Sequence, residues 1–430
     1  MTVKKNATLS ASQRLQKKMT VLLIAAIGIF LLFPSNSLAS RPNWYKGNLH
    51  AHSQWSDGDV YPEMVAKIYK DRGYNFLCIS DHNRLSQGIK WYNVKETYGG
   101  EKAFDKYLAQ FGDDWVERRD ANGVLSVRLK PLNEFRCLFE ETGKFLLIQA
   151  EEITDKVHLN AINLSEVIMP QGGGTLTEVL QNNIDASLRQ GKKTGQEPLV
   201  MINHPTYQWA LTAEDILPVN NASFLEIHNG YPGVPNYGDK LHASTERIWD
   251  ILLAKRLSLP QGEIIYGIAS DDAHNYLDFG PDKANPGRGW IMVRANYLTP
   301  ESITKAMKAG SFYASSGVTL KDIAFDGKTL RIEIQAEPNV AYTTQFIGTL
   351  KGYDPASKPV VDANGVEIHT TRIYSSDIGR VLAEVKGAAA TYSLTGNELY
   401  VRAKVISNKA KENPYAAGDV EVAWIQPVKQ

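Results

Sequence analysis

Six of the nine histidines in this 430-residue sequence stand with carboxylates or amides at the ends of short apolar runs. The first group is Asn48-Leu49-His50-Ala51-His52, with Ser53, Ser56, Asp57 and Gly58 directly after it. On an extended strand, residues two apart point the same way, so His50 and His52 can offer two imidazoles to one ion. In the second group, Phe76-Leu77-Cys78-Ile79 leads into Ser80-Asp81-His82-Asn83. The third is Ala150-Glu151-Glu152-Ile153-Thr154, followed by His158, and the fourth is Ile202-Asn203-His204-Pro205. The fifth, Ser270-Asp271-Asp272-Ala273-His274, gives Asp272 and His274 same-side spacing if the strand continues. A lone core histidine satisfied by a hydrogen bond is unremarkable, but scattered core histidines do not concentrate at strand ends. Imidazole and carboxylate without thiolate suit Zn, Mn or Fe, and donor type alone does not choose among them. Ions held this way lower the pKa of bound water and polarise a P=O or C=O bond. No Gly-x-Ser-x-Gly element or other nucleophile motif accompanies the histidines, which favours attack by metal-bound water over a covalent intermediate.

Elements able to carry these groups can be read along the chain. Gly47–His52, Phe76–Ser80, Phe145–Ala150, Leu199–Asn203, Phe224–His228 and Ile264–Ala269 read as strands. Helical patterns at Pro62–Arg72, Leu176–Gln190 and Thr245–Lys255 lie between several of them. Such alternation predicts an α/β fold with a parallel sheet, open or closed into a barrel, with its chemistry at the strand ends. Residues 84–144 are long for one connection and predict an insertion beside the site, with helical stretches at Phe104–Phe111 and Leu132–Glu141. After about Thr319 the texture changes. Leu330–Gln335, Arg380–Glu384, Glu398–Ile406 and Val420–Trp424 read as strands, which predicts a small all-β, sandwich-like domain over residues 321–430.

Lysines and arginines number 47, as do aspartates and glutamates, so no global field draws nucleic acid or an anionic membrane. Lys17 and Lys18, the apolar run Val21 to Phe33, and Ser37-Leu38-Ala39 form the three parts of an export signal. The expectation is a signal peptide at residues 1–39, a secreted or periplasmic protein, and no stable membrane span once the signal is cleaved. Cys78, inside an apolar run, reads as a buried free thiol rather than half of a bridge to Cys137.

Taken in order, His50-Ala51-His52-Ser53, Ser56-Asp57-Gly58, Asp81-His82-Asn83, Glu152-Ile153-Thr154, Asn203-His204-Pro205 and Asp272-Ala273-His274 resemble the motifs of the PHP (polymerase and histidinol phosphatase) superfamily. The resemblance covers roughly Asn43 to Leu320 and implies a distorted seven-stranded β/α barrel over residues 40–320, with two or three divalent ions. It implies that His50, His52, Glu152 and Asp272 hold a first ion. Glu152 then bridges to a second ion shared with His158 and His204, while Asp57, His82 and His274 hold a third. Asp57 stands where some family members have histidine. Glu151 is the alternative bridge, and the Glu-Ile-Thr register favours Glu152. Asp81 is read as orienting an imidazole. Glu226-Ile227-His228-Asn229-Gly230, Gly287-Arg288-Gly289-Trp290 and Ala309-Gly310-Ser311-Phe312-Tyr313-Ala314-Ser315-Ser316-Gly317 are similar to an exported PHP-like metallohydrolase subgroup. That subgroup includes enzymes acting on carbamate and amide bonds.

The expected function is a metal-dependent hydrolase of a small, anionic molecule, with a phosphoester preferred. A carboxylic ester, carbamate or amide is the alternative, and a non-catalytic binding protein is the rival from another class. Glu152 and Asp272 are the expected catalytic carboxylates. Arg288 is a candidate clamp for an anionic group, with a structural salt bridge as its other reading, and His228 is a candidate substrate contact.

Overall fold

The computed structural model describes residues 42–430, and the signal expected at residues 1–39 lies outside the described residues. A 13-stranded mixed sheet organises the chain. Its strands are β1 (Asn43–Asn48), β2 (Phe76–Ile79), β3 (Leu146–Thr154), β4 (His158–Ile162), β5 (Leu199–Ile202), β6 (Phe224–Asn229), β7 (Tyr266–Ser270), β8 (Trp290–Ala295), β9 (Phe312–Ser315), β10 (Tyr342–Leu350), β11 (Arg380–Lys386), β12 (Glu398–Ala410) and β13 (Val420–Val428). Across the sheet they lie in the order β7-β6-β5-β4-β3-β2-β1-β8-β9-β13-β12-β10-β11.

Burial explains the first strands. All four residues of β2 are buried, as an unbroken apolar run requires when both faces of a parallel strand are covered. It pairs parallel with β1 and β3. Gly47 of β1 is needed because a Cβ there would lie 2.0 Å from the Phe76 ring. The helices start where their caps predict. Helix α1 (Pro62–Asp71) has proline in its first turn, and α2 (Leu176–Thr194) opens with a Thr175–Glu178 capping box and stops at left-handed Gly195. Helix α3 (Thr245–Leu257) takes Ser244 as its N-cap.

Strand directions depart from a simple parallel winding. The pairs β5–β6 and β6–β7 are parallel, but β4 is antiparallel to both β3 and β5. The turn at residues 155–157 makes β3 and β4 a hairpin, which sets Thr154 opposite His158. No ladder among the described residues joins β7 to β8. The sheet nevertheless curls until the segment after β1 meets the segment after β7. The parallel bridge Ala51–Ala273 marks this approach, and the His52 amide donates to the Ala273 carbonyl at 2.9 Å.

Residues 84–144 contain a helix at Gly100–Phe111 and an antiparallel three-stranded sheet of Lys90–Asn93, Arg118–Ala121 and Val124–Leu129. The helix expected at Leu132–Glu141 is shorter: an α-turn at Leu132–Phe135 tightens into a 3-10 turn at Arg136–Leu138. Glu63 of α1 anchors this segment, accepting from the Tyr107 hydroxyl at 2.6 Å and the Trp115 indole at 2.9 Å.

Toward the C-terminus the sheet continues without a break. Tyr313 and Ser315 of β9 pair with Ile425 and Ala423 of β13. A second sheet of Leu320–Phe325, Thr329–Ile334 and Ala389–Ser393 shares a hydrophobic cluster with β10, β12 and β13, built on Leu330, Ile332, Phe346, Val401 and Val405. A buried ion pair ties the C-terminal strands to α3: the Arg402 guanidinium donates twice to the Asp250 carboxylate, at 2.8 and 2.7 Å. Residues Pro42–Gln430 thereby pack as one compact unit.

Candidate metal centre

The curl brings five separated chain segments to one point. His50 and His52 follow β1, Asp57 lies in the next turn and His82 follows β2. Glu152 is on β3, His158 starts β4, His204 follows β5, and Asp272 and His274 follow β7. Their donor atoms form four overlapping groups, each within 4.8 Å: His52/Asp57/His82/His274, His50/His52/Glu152, His50/His204/Asp272 and Glu152/His158/His204.

Glu152 sits at the middle. One of its oxygens lies 3.0 Å from His158 Nδ1, 3.3 Å from His204 Nε2 and 3.4 Å from His50 Nε2. The other lies 2.8 Å from His82 Nδ1 and 3.5 Å from His52 Nε2. Asp272 Oδ1 is 3.1 Å from Nε2 of both His50 and His52. Asp57 Oδ2 lies 3.4 Å from His274 Nε2 and 3.5 Å from His82 Nε2. Glu151 points to the opposite side of β3, where Oε1 accepts from the Ile168 amide at 2.6 Å.

Asp272 and His274 converge for a different reason than strand alternation. Strand β7 ends at Ser270, and Asp272 adopts a left-handed φ of 49°. The turn, not a continuing strand, carries both side chains to the cluster. Asp272 also accepts His274 Nδ1 on its carbonyl at 2.8 Å, which leaves Nε2 facing Asp57.

A ring of polar groups fixes the other imidazoles. Glu226 of β6 lies 3.1 Å from His50 Nδ1 and accepts from the His204 amide at 2.7 Å and the Asn229 amide group at 2.9 Å. It also accepts from the Ser270 hydroxyl. Asn203 donates to Glu152 at 2.8 Å. Asp81 does not touch an imidazole. It accepts from the backbone and hydroxyl of both Ser53 and Ser56, and Ser56 Oγ in turn lies 3.4 Å from His52 Nδ1.

The electrostatics suit cations. Burial together with the nearby His274 and His82 pushes His52 down to about 3. Burial opposes charge on His82, yet Glu152 and Asp57 lift it to about 11. Burial likewise opposes the Glu152 carboxylate, but His82, His50 and His158 hold it well below the usual range. Nε2 of His50, Nε2 of His52 and Oε2 of Glu152 are buried and make no directed hydrogen bond, their near contacts being the other ionisable groups of the cluster. Buried polar atoms of this kind are costly when unpaired. A divalent ion would satisfy all three, so the donor set fits metal.

Two expectations change. Arg288 is fully buried, and its guanidinium donates to the carbonyls of Gly230, Lys283 and Gly280 at 2.9, 2.6 and 2.9 Å. It braces the loop after β7 rather than clamping an anion or forming a salt bridge there. His228 faces away from the cluster. Strand β6 carries one extra residue opposite β7, with Glu226 against Ile268 but His228 against Ala269. This bulge breaks the two-residue alternation, so Glu226 points inward while His228 stacks on Trp424.

A chamber of about 100 Å³ opens on the cluster, and Tyr207 and Tyr231 form part of its wall. Neither belongs to a motif in the sequence. Their signal was position: each lies two or three residues beyond a polar strand end, His204 or Asn229.

No family model matches the chain, and no curated protein matches it. Among solved structures it is similar to a two-domain protein from Bacteroides vulgatus ATCC 8482 that contains a predicted PHP-like metal-dependent phosphoesterase. Identity is 15%, over 90% of this chain and 95% of that one, with a TM-score of 0.41.

Proposed function

We propose that the chain is a metal-dependent hydrolase of the PHP type, acting on small phosphoesters outside the cytoplasm, with its first seven strands as a distorted barrel and a sandwich-like C-terminal domain. The observation that carries this reading is the convergence of His50, His52, His82, His158, His204 and His274 with Asp57, Glu152 and Asp272, whose buried ligand atoms crowd one another with few directed hydrogen bonds.

His50, His52, Glu152 and Asp272 would hold one ion, Glu152, His158 and His204 a second, and Asp57, His82 and His274 a third. Such ions, when bound, activate water and neutralise charge developing on the scissile group. The chain's own residues do the positioning. Glu226 holds the His50 ring and the His204 backbone, Asn203 holds Glu152, and the Asp272 carbonyl fixes which nitrogen His274 presents. Pre-set ligands spend little free energy on reorganisation when the reaction occurs. Tyr207 and Tyr231 line the chamber and would cover an apolar part of a bound substrate.

One observation favours the acyl alternative. Among the described residues no lysine or arginine lines the chamber at the cluster, and an uncharged ester, carbamate or amide needs none. A screen of the metal-loaded protein, without residues 1–39, separates the two readings. Turnover of phosphomonoesters supports the first, and turnover of acyl substrates alone supports the second. A protein with two metal equivalents that turns over neither is a binding protein.

A further inference from the structure

The chamber at the cluster shares His158, His204 and Tyr207 with a second cavity of about 300 Å³. Tyr207 stands edge-on to His204 at 5.3 Å between ring centroids and lies 6.0 Å from the His158 ring. Its placement is imposed by a strained turn. Gln208 and Trp209, neither of them glycine, have φ values of 51° and 55°. Conformations of this kind persist only where the surroundings over-determine them, and they cluster at functional sites. Here Trp209 stacks on His242 at 3.9 Å with an 8° interplanar angle, and the Leu211 amide closes the turn onto the Pro205 carbonyl at 3.0 Å.

The second cavity is mixed in character. Val157 and Leu211 give it an apolar part, and Lys156 and Asp155 bring the charges. Lys156 lies on the β3–β4 turn between Glu152 and His158, and among the described residues its ammonium has no partner. A four-carbon stem lets that ammonium reach over the cavity, and the Asp155 carboxylate on the same turn lines it too, so the sign of charge that the cavity prefers is what the test must read.

We propose that this second cavity receives the part of the substrate remote from the scissile bond, and that this part carries an anionic group met by Lys156. Tyr207 is the wall between the two spaces and sets the length of substrate that fits. The assignment rests on reading the cluster as a phosphoester site.

The test is calorimetric binding of three phosphonates to the metal-loaded protein. Their P–C bonds are not hydrolysed, so the result does not depend on turnover. Methylphosphonate has nothing to place in the second cavity, 3-phosphonopropionate adds a carboxylate, and 2-aminoethylphosphonate adds an ammonium. The carboxylate probe is expected to bind about fivefold or more tighter than methylphosphonate, as an exposed to half-buried ion pair allows. The ammonium probe gains nothing. Lys156→Gln removes the carboxylate advantage, and Lys156→Arg keeps it. Equal binding of the first two probes, no binding of either, preference for the ammonium, or an advantage that survives Lys156→Gln overturns the proposal. Failure of the phosphoester screen with the carboxylate advantage intact removes the catalytic reading and leaves the anionic subsite standing.

Discussion

Glu151 and Glu152 are adjacent in the chain and face opposite sides of the sheet. The Glu152 carboxylate lies 2.8 Å from His82 and 3.0 Å from His158, while Glu151 accepts from the Ile168 amide at 2.6 Å. Of the two, only Glu152 faces the histidine cluster. Glu152→Gln is expected to lower metal content and turnover by roughly 10–100-fold. Glu151→Gln keeps an acceptor for Ile168 and leaves both near wild type. Metal stoichiometry followed by assays in excess metal checks this, and the reverse pattern would mean that the bridge is misassigned.

Metal removal gives a second expectation. Ions that bind the folded state alone stabilise it by mass action. The protein purified without chelator should carry at least about two equivalents, in keeping with the overlapping donor groups. Chelation should lower the melting temperature, and Mn or Zn should restore it. Less than one equivalent, with no activity regained on adding metal, contradicts the cluster reading.

Glu226 is expected to matter without touching an ion. It lies 3.1 Å from His50 Nδ1 and accepts the His204 amide at 2.7 Å. Glu226→Gln keeps the shape but weakens the hold on the His50 ring. Metal affinity should fall by roughly 10–100-fold, with the circular dichroism spectrum unchanged. Unaltered affinity in a competition titration would show that His50 needs no such support.

Glu63 predicts a pH dependence. Burial raises its pKa above the ordinary 4.5, against the opposing bonds from Tyr107 and Trp115. The folded state therefore binds a proton that the unfolded state releases between 4.5 and the raised value. Glu63's contribution is fully present below the lower limit and declines as pH rises through this window. Glu63→Gln, which cannot ionise, should flatten that decline in thermal melts followed from acid to neutral pH. Equal slopes for the two proteins would remove Glu63 from the account.

The two thiols should differ in reactivity. Cys78 is buried, and burial pushes its pKa up, whereas Cys137 is exposed. Thiolate is the reactive form. Native protein treated with iodoacetamide should take one label, at Cys137, and denatured protein two. Peptide mass spectrometry reads the outcome, and fast labelling of Cys78 in the native state contradicts the burial.

Much of the centre was legible in the sequence because its information is local. Apolar runs ending in His50, His82, Glu152, His204 or Asp272 declare both a strand and a polar end, and helix starts such as Ser244 and Thr175 carry their own caps. Strand Tyr342–Leu350 is hard to see in the sequence because its threonines and glutamine blur the apolar alternation. What needed the tertiary structure is long-range pairing. Local alternation tells which residues share a side of one strand, but not which strands are neighbours or where the ladder slips. A single bulge between β6 and β7 turns Glu226 inward and His228 away, and the left-handed turn at Asp272 brings it to His274 without a strand. Carbonyls from three positions in the loops after β6 and β7 surround the Arg288 guanidinium, a fate that no spacing in the chain encodes. Residue types and their periods were set by the sequence, and only the closed network of neighbours decided the direction in which each side chain points.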